Sequence, residues 1–181
     1  MMRLDPRSVA NLIIELSKEH GRPVTHLSLQ KILYFIHGRY LIENDAPLLD
    51  GYFEAWQYGP VHPLIYDAFK DYGSHPLTEP ALGRDLLSGR RIPVDKPANS
   101  ALRSLIIEIA LPYLKLSAGR LVDLSHARQS PWDVLTLQDD GSRKFGIRIT
   151  ESDIRTGFRH HKISIERYPR IGEPHEESPP H

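Results

Sequence analysis

A helical segment that is apolar on several flanks most constrains how this chain can fold. Over about residues 28–44 the apolar side chains recur at helical spacing, with Thr25 or Ser28 as the cap. Two stripes run along it: Leu29, Ile32, Leu33, Ile36 and Tyr40 form the first, and Gln30, Tyr34 and His37 form the second. A helix with so many apolar sides is usually enclosed by other elements, so we expect it at the centre of the domain. Gly38 in its interior weakens the helix unless another group packs closely against it.

The other helical segments are marked by caps and prolines. Asp5-Pro6 is a cap followed by proline at the first helical position, and Ser130-Pro131 has the same form. Pro112 removes a backbone donor inside a later helix and predicts a kink or a break there. Further helices are predicted over about 6–20, 63–72, 99–116, 119–127, a short stretch from 131, and 150–165.

Short extended segments accompany these helices. Residues 52–58 carry aromatic side chains at a spacing of two, which is typical of a strand, and residues 59–62 are predicted as a turn. A second short strand is predicted over 145–149. Extended pieces around Leu86 and Ile92 are predicted to pair as a hairpin across Ser88-Gly89.

These elements predict an α+β fold, a mainly α-helical single domain with a small antiparallel β element. The length of 181 residues suits one domain, which we place at residues 1–168. Residues 169–181 hold Pro, Glu and His and little else, and are predicted to be a disordered tail. No run approaches the roughly 20 apolar residues of a membrane span, and the first residues do not resemble a signal peptide. We therefore predict a cytoplasmic protein without a membrane partner.

The chain contains little that points to catalysis. Cysteine is absent, which removes thiol catalysis and thiolate zinc sites. Ser125-His126 are neighbours on a predicted helix and point about 100° apart, so they do not form a nucleophile and base. The ten histidines lack metal-ligand spacing, and no phosphate-binding glycine loop is present. We predict no enzyme activity, no catalytic residue, no metal and no cofactor.

Charge is unevenly distributed although the formal net charge is zero. Residues 141–170 carry 8 Lys and Arg against 3 Asp and Glu, which gives +5. A DNA-binding regulator that uses this basic C-terminal helix, with Arg155, Arg159, His160, His161 and Lys162, is therefore an alternative hypothesis. The other interpretation is a solvated helix face, since nucleic-acid binding usually requires a stronger field.

Three short motifs stand in a fixed order along the chain. They are LQKILYF at 29–35, EAWQYGPV at 54–61, and Leu124-Ser125-His126 followed by Pro131-Trp132. In residues, order and spacing they resemble the Panacea antitoxin domain family of SocA-like antitoxins. The resemblance covers roughly residues 6–137, and the chain departs from the commoner pattern at Ile36-His37-Gly38.

The resemblance implies an antitoxin that is encoded beside a toxin and neutralises it through direct protein contact. Family members pair with many unrelated toxins, so the identity of the cognate toxin does not follow from the domain. For a SocA-like member, the resemblance further implies a proteolytic adaptor that delivers the toxin to the ClpXP protease.

The segment that runs from the predicted strand into the Gly-Pro turn is the predicted partner-binding surface. Tyr and Trp are enriched at interface anchors, while Gly59 permits a sharp turn that Pro60 stiffens. The predicted binding residues are Gln30, Lys31, Tyr34, His37, Trp56, Tyr58, Gly59, Pro60 and Val61. For Trp56, Tyr58 and Tyr34, a role in the core is the alternative.

Overall fold

The apolar second helix lies at the centre of the fold. In the computed structural model, which describes residues 3–159 and residue 180, α2 (His26–Asn44) buries 15 of its 19 residues. Thr25 caps it by accepting a hydrogen bond from the Ser28 amide, which decides between the two predicted caps. The prediction of a central, enclosed helix is confirmed.

Six further helices surround α2 within the described residues, and the fold is α+β and mainly helical, as predicted. They are α1 (Pro6–Glu19), α3 (Pro63–Phe69), α4 (Ser100–Leu114), α5 (Ala118–Ser125), α6 (Pro131–Thr136) and α7 (Glu151–Phe158), with a 3-10 turn at Lys70–Tyr72. Asp5 and Ser130 cap α1 and α6 with their side chains, and proline follows each cap. Pro112 lies inside α4, which ends two residues later at Leu114.

Gly38 allows α7 to approach α2 closely. A Cβ atom at this position would overlap the ring of Phe158, which α7 buries against α2. The close packing that the interior glycine required is therefore present, and it fixes where the last described helix lies.

A three-stranded antiparallel sheet has the order β2-β1-β5, formed by β1 (Phe53–Trp56), β2 (Gly59–Val61) and β5 (Ile147–Ile149). Trp56 pairs with Gly59, so only Gln57 and Tyr58 form the turn. The predicted turn over 59–62 was therefore wrong by two residues. Gly59 begins β2 because it pairs with Trp56, and Pro60 and Val61 pair in turn with Ala55 and Glu54 of β1.

A second, two-stranded sheet pairs β3 (Leu82–Arg84) with β4 (Arg91–Pro93). The predicted hairpin exists, but its first strand ends before Leu86. Buried Asn11 of α1 holds the base of the hairpin: its side-chain amide donates to Ala81 O and Val94 O, and its carbonyl oxygen accepts from the Ala81 amide.

Several predictions concern residues outside the described part of the chain. These are the end of the last helix at 160–165, its basic side chains from His160 onward, and the tail at 169–181. Within the described part of that helix, Arg155 donates to the Asp45 carboxylate. No helix among the described residues is long and apolar enough to cross a membrane.

Candidate protein-binding site

The three sequence motifs meet at the hairpin between β1 and β2. The first motif lies on α2, the second forms the hairpin itself, and the third spans α5 and α6. We call residues Trp56–Gly59 the aromatic turn. Both α2 and α5 pack against β2, and α6 packs against β1. Three helices that are distant in sequence therefore pack against the strands on either side of this turn.

Gln30 fastens α2 to the end of the hairpin. Its Oε1 accepts a hydrogen bond from the His62 amide at 2.8 Å. Its Nε2 donates to His62 O at 3.3 Å and to His26 Nε2 at 3.1 Å. The side chain has no solvent exposure, so all of these bonds are buried. Because the amide bonds both the donor and the acceptor of one residue, it fixes the position of the backbone there.

Lys31 and Gly59 bring the turn close to α2 and α5. Lys31 is fully buried, and its Nζ donates to Pro60 O at 3.1 Å. Gly59 has φ 103°, a region that side chains rarely adopt. A Cβ atom there would overlap Ser125 Oγ and stand 3.0 Å from Lys31 Cε. Only glycine fits at this point of the hairpin.

Hydrogen bonds and ring contacts of two tryptophans fix the start of the aromatic turn. Trp132 of α6 donates from Nε1 to Trp56 O at 2.6 Å. Trp56 donates from its own Nε1 to Glu54 Oε2 at 2.8 Å, and its ring packs on Tyr66 with centroids 4.8 Å apart. With 6% exposure, Trp56 serves mainly as a core residue.

Trp132 is itself enclosed between a histidine and an arginine. The His126 ring stacks on it at 3.5 Å with an interplanar angle of 13°. The Arg143 guanidinium lies 4.6 Å from the centroid of the Trp132 ring, at cation–π distance. This stack holds α6 in the position from which it supports the aromatic turn.

Few groups of this assembly reach solvent. Gln57 is exposed, and Tyr58 and Tyr66 are half-buried. We call these three residues the turn rim. Of the nine predicted binding residues, only Tyr58 is in it. The other eight are buried, so any contact that they make with a partner in this conformation is indirect.

Tyr34 and His37 lie away from the aromatic turn. The Tyr34 ring packs edge-on against Phe53 and Phe158, and its hydroxyl has no hydrogen-bond partner among the described residues. His37 Nδ1 accepts from the Leu49 amide at 3.2 Å and borders a separate cavity of about 340 Å³. The structure therefore does not bring these two predicted site residues together with the others.

The buried histidines are held in their neutral form. Burial lowers the pKa of His26 to about 4, and the charge of Lys31 adds to this effect. Burial likewise lowers the pKa of His37 to about 4 and that of His126 to about 3. Neutral His26 can accept the Gln30 hydrogen bond at Nε2, which agrees with its observed geometry.

The polar groups near the turn stabilise the structure. Ser125 Oγ donates to Val122 O at 2.8 Å, while the neighbouring His126 stacks on Trp132. Within residues 3–159 and 180, no three His, Asp or Glu side chains gather in a way that could hold a metal ion.

Sequence reasoning missed two supports of the turn. The His26 ring packs at a tilt against Tyr66 with centroids 5.4 Å apart, and His26 also hydrogen-bonds Gln30. Ser125 contacts Gly59. His26 stands four residues before Gln30, so helical spacing alone could have linked that pair. No local signal could have linked Ser125 with Gly59.

The fold and the site together define a mainly helical domain. In it, the three sequence motifs hold the aromatic turn against the central helix α2. Residues 29–133 match the family described as "Antitoxin SocA-like, Panacea domain". The chain is also 38% identical over 177 residues to Antitoxin SocA of Caulobacter vibrioides (strain NA1000 / CB15N), covering 98% of this chain and 94% of that protein. No solved structure matches the chain.

The chain therefore belongs to the SocA-like, Panacea-domain antitoxin family. The predicted resemblance is confirmed, and it extends well beyond the three motifs. The matched region, residues 29–133, contains the residues that hold the aromatic turn with two exceptions. His26 precedes the region and Arg143 follows it.

Proposed function

We propose that this chain is the antitoxin of a toxin–antitoxin pair and neutralises its toxin by direct binding. The observation that carries the proposal is the match to Antitoxin SocA over nearly the whole of both chains. The turn rim adds a surface suited to binding another protein. Within it, Tyr58 and Tyr66 are aromatic side chains with polar ends, the type that most often anchors protein interfaces.

The turn rim is the proposed contact surface, and the buried motif residues prepare it. Gln30 and Lys31 fix the backbone that follows the turn, and Trp132 fixes the backbone at its start. A turn that is rigid before binding loses little conformational entropy on binding, so more of the contact energy appears as affinity. The buried residues at the turn would then influence binding through its shape; they are Gln30, Lys31, Trp56, Gly59, Pro60 and Val61.

A rescue experiment tests this assignment. The candidate toxin is the product of the reading frame next to the gene, expressed with and without this chain. Tyr58→Ala should weaken toxin binding by about tenfold or more and reduce rescue of growth. Tyr52→Ala is the matched control, because Tyr52 is 39% exposed and lies just before β1, at the end away from the turn. If both variants fold and neutralise equally well, the turn rim is not the contact surface.

The finer proposal is that the bound toxin is delivered to the ClpXP protease. Its support is family membership alone. The half-life of the purified toxin is measured with ClpXP and ATP, with and without this chain. Degradation that requires the chain supports the adaptor role. Tight binding without faster degradation would leave the antitoxin proposal standing and refute the adaptor.

A further inference from the structure

A cavity of about 420 Å³ lies where the loop between α5 and α6 meets the end of α7. Its apolar wall is formed by Phe35, Leu124, Pro131 and Phe158. A volume of this order suits a small organic molecule. None of the three turn-rim residues lines the cavity, so a ligand bound here would be a property beyond the proposed contact with the toxin.

The charged side chains that line the cavity are all positive. Arg128 and Arg159 line it, whereas no Asp or Glu of the described residues does. In the described part of the chain, neither arginine forms an ion pair. A cleft lined by one sign of charge concentrates ions of the opposite sign. The lining therefore favours an anion.

The carboxylates close to the cavity are engaged with other groups. Asp133 binds Arg143 at 2.7 Å. Asp153 accepts a hydrogen bond from the Thr150 amide at 2.8 Å as part of the cap of α7. Asp123 also has an interaction partner of its own. These three acids therefore leave the two arginines of the cavity available to a ligand.

The polar groups of the wall include donors that have no acceptor. Ser125, Ser130 and Thr156 already donate their hydroxyl hydrogens to backbone carbonyl oxygens, at 2.8 to 3.0 Å. The side-chain amide of Gln129 and the two guanidinium groups make no hydrogen bond with the described residues, and neither does the buried Tyr34 hydroxyl. A ligand with several acceptor oxygens would supply what the exposed donors lack.

The cavity is formed before any ligand binds. Gly157 of α7 packs directly on Pro131, and a Cβ atom at the glycine would overlap the proline ring. Gln129 has φ 64°, a costly conformation for a residue with a side chain, and its amide donates to Asp133 Oδ2 at 3.0 Å. The loop that presents Arg128 is therefore held in place, and binding costs it little conformational entropy.

We propose that this cavity binds a small phosphomonoester, with its phosphate group at Arg128, Gln129 and Arg159 and its organic part against the apolar wall. A phosphate group carries a charge of about −1.5 to −2 and three acceptor oxygens, whereas a carboxylate has one charge and two oxygens. Two cations and an amide at separate positions therefore match phosphate better. The fork of N–H donors on arginine also fits pairs of phosphate oxygens.

Isothermal titration calorimetry of the full chain with phenyl phosphate tests the site. At equal ionic strength, phenyl phosphate should bind at least about tenfold more tightly than inorganic phosphate, because only the ester brings a ring to the apolar wall. It should also bind at least about tenfold more tightly than benzoate, which keeps the ring but carries a single charge.

Substitution of the arginines locates the binding site. Arg128→Gln and Arg159→Gln should each weaken phenyl phosphate binding by about tenfold or more, because each removes charge-assisted hydrogen bonds. Both side chains are exposed, so the variants should fold, which circular dichroism checks. Arg22→Gln is the matched control, because Arg22 is exposed between α1 and α2 and does not line the cavity. Its affinity for phenyl phosphate should equal that of the parent chain.

Four results would overturn the proposal. The first is a parent chain that does not bind phenyl phosphate at millimolar concentration. The second is affinity that both folded arginine variants retain. Inorganic phosphate that binds as tightly as phenyl phosphate would assign the cavity to the free ion, and benzoate that binds equally well would refute the preference for phosphate.

Discussion

Replacing Gln30 by Met removes hydrogen bonds from the centre of the site while nearly keeping side-chain volume. The His62 amide and His26 Nε2 both lose their partner, whereas His62 O still accepts from the amides of Ile65 and Tyr66. Each buried group left without a partner costs about 1–3 kcal/mol. The greater apolarity of Met offsets roughly 1 kcal/mol of this loss. We therefore expect the free energy of unfolding to fall by about 3 kcal/mol.

Urea denaturation followed by circular dichroism measures this change, and thermal unfolding should show a midpoint lower by roughly 6–12 °C. Gln57→Met is the matched control, because Gln57 is exposed in the turn and should leave stability within about 0.5 kcal/mol of the parent. If Gln30→Met were as stable as this control, the bridge between α2 and the hairpin would contribute nothing, and the reasoning about a pre-shaped turn would fail.

Three further perturbations follow from the same contacts. Gly59→Ala forces an L side chain into φ 103° and against Ser125, so stability should fall by at least about 2 kcal/mol in urea denaturation; an unchanged midpoint would contradict the positive-φ argument. His26 and His37 have pKa values near 4, below the usual 6.5, so the unfolded chain binds more protons between these pH values. Stability should therefore fall as pH drops from 7.5 to 5, by roughly 2 kcal/mol for each histidine, and a flat profile in buffered denaturation series would refute this. Thr150→Ala removes the cap of α7 and should lower stability by about 1 kcal/mol, whereas the capping-competent Thr150→Ser should restore most of it.

Local chemistry allowed much of the secondary structure to be predicted. Caps such as Asp5 and Ser130 act over two or three residues, so their partners are contained in the same short segment. The turn in the first hairpin was misplaced because proline and glycine indicate extended backbone and a bend alike. Only the pairing of Trp56 with Gly59 determines that the bend precedes the glycine.

Local sequence did not allow the burial of the site residues to be predicted. Gln30 and Lys31 are polar, and their sequence context gives no indication that both are completely buried. Their burial follows from carbonyl and amide groups of residues 60–62, about thirty positions away. Polar side chains can be buried only where partners replace water, and those partners belong to another element.

The sequence by itself determined that a helix apolar on several sides must be enclosed, that caps and prolines divide the rest into short helices, and which family the motifs resemble. These features depend on neighbours within a few positions, or on the identity of the residues alone. Only the tertiary structure decided that most of the predicted surface is an interior support and that Tyr58 reaches solvent. Exposure depends on which distant segments cover a side chain, and that is a property of the folded chain.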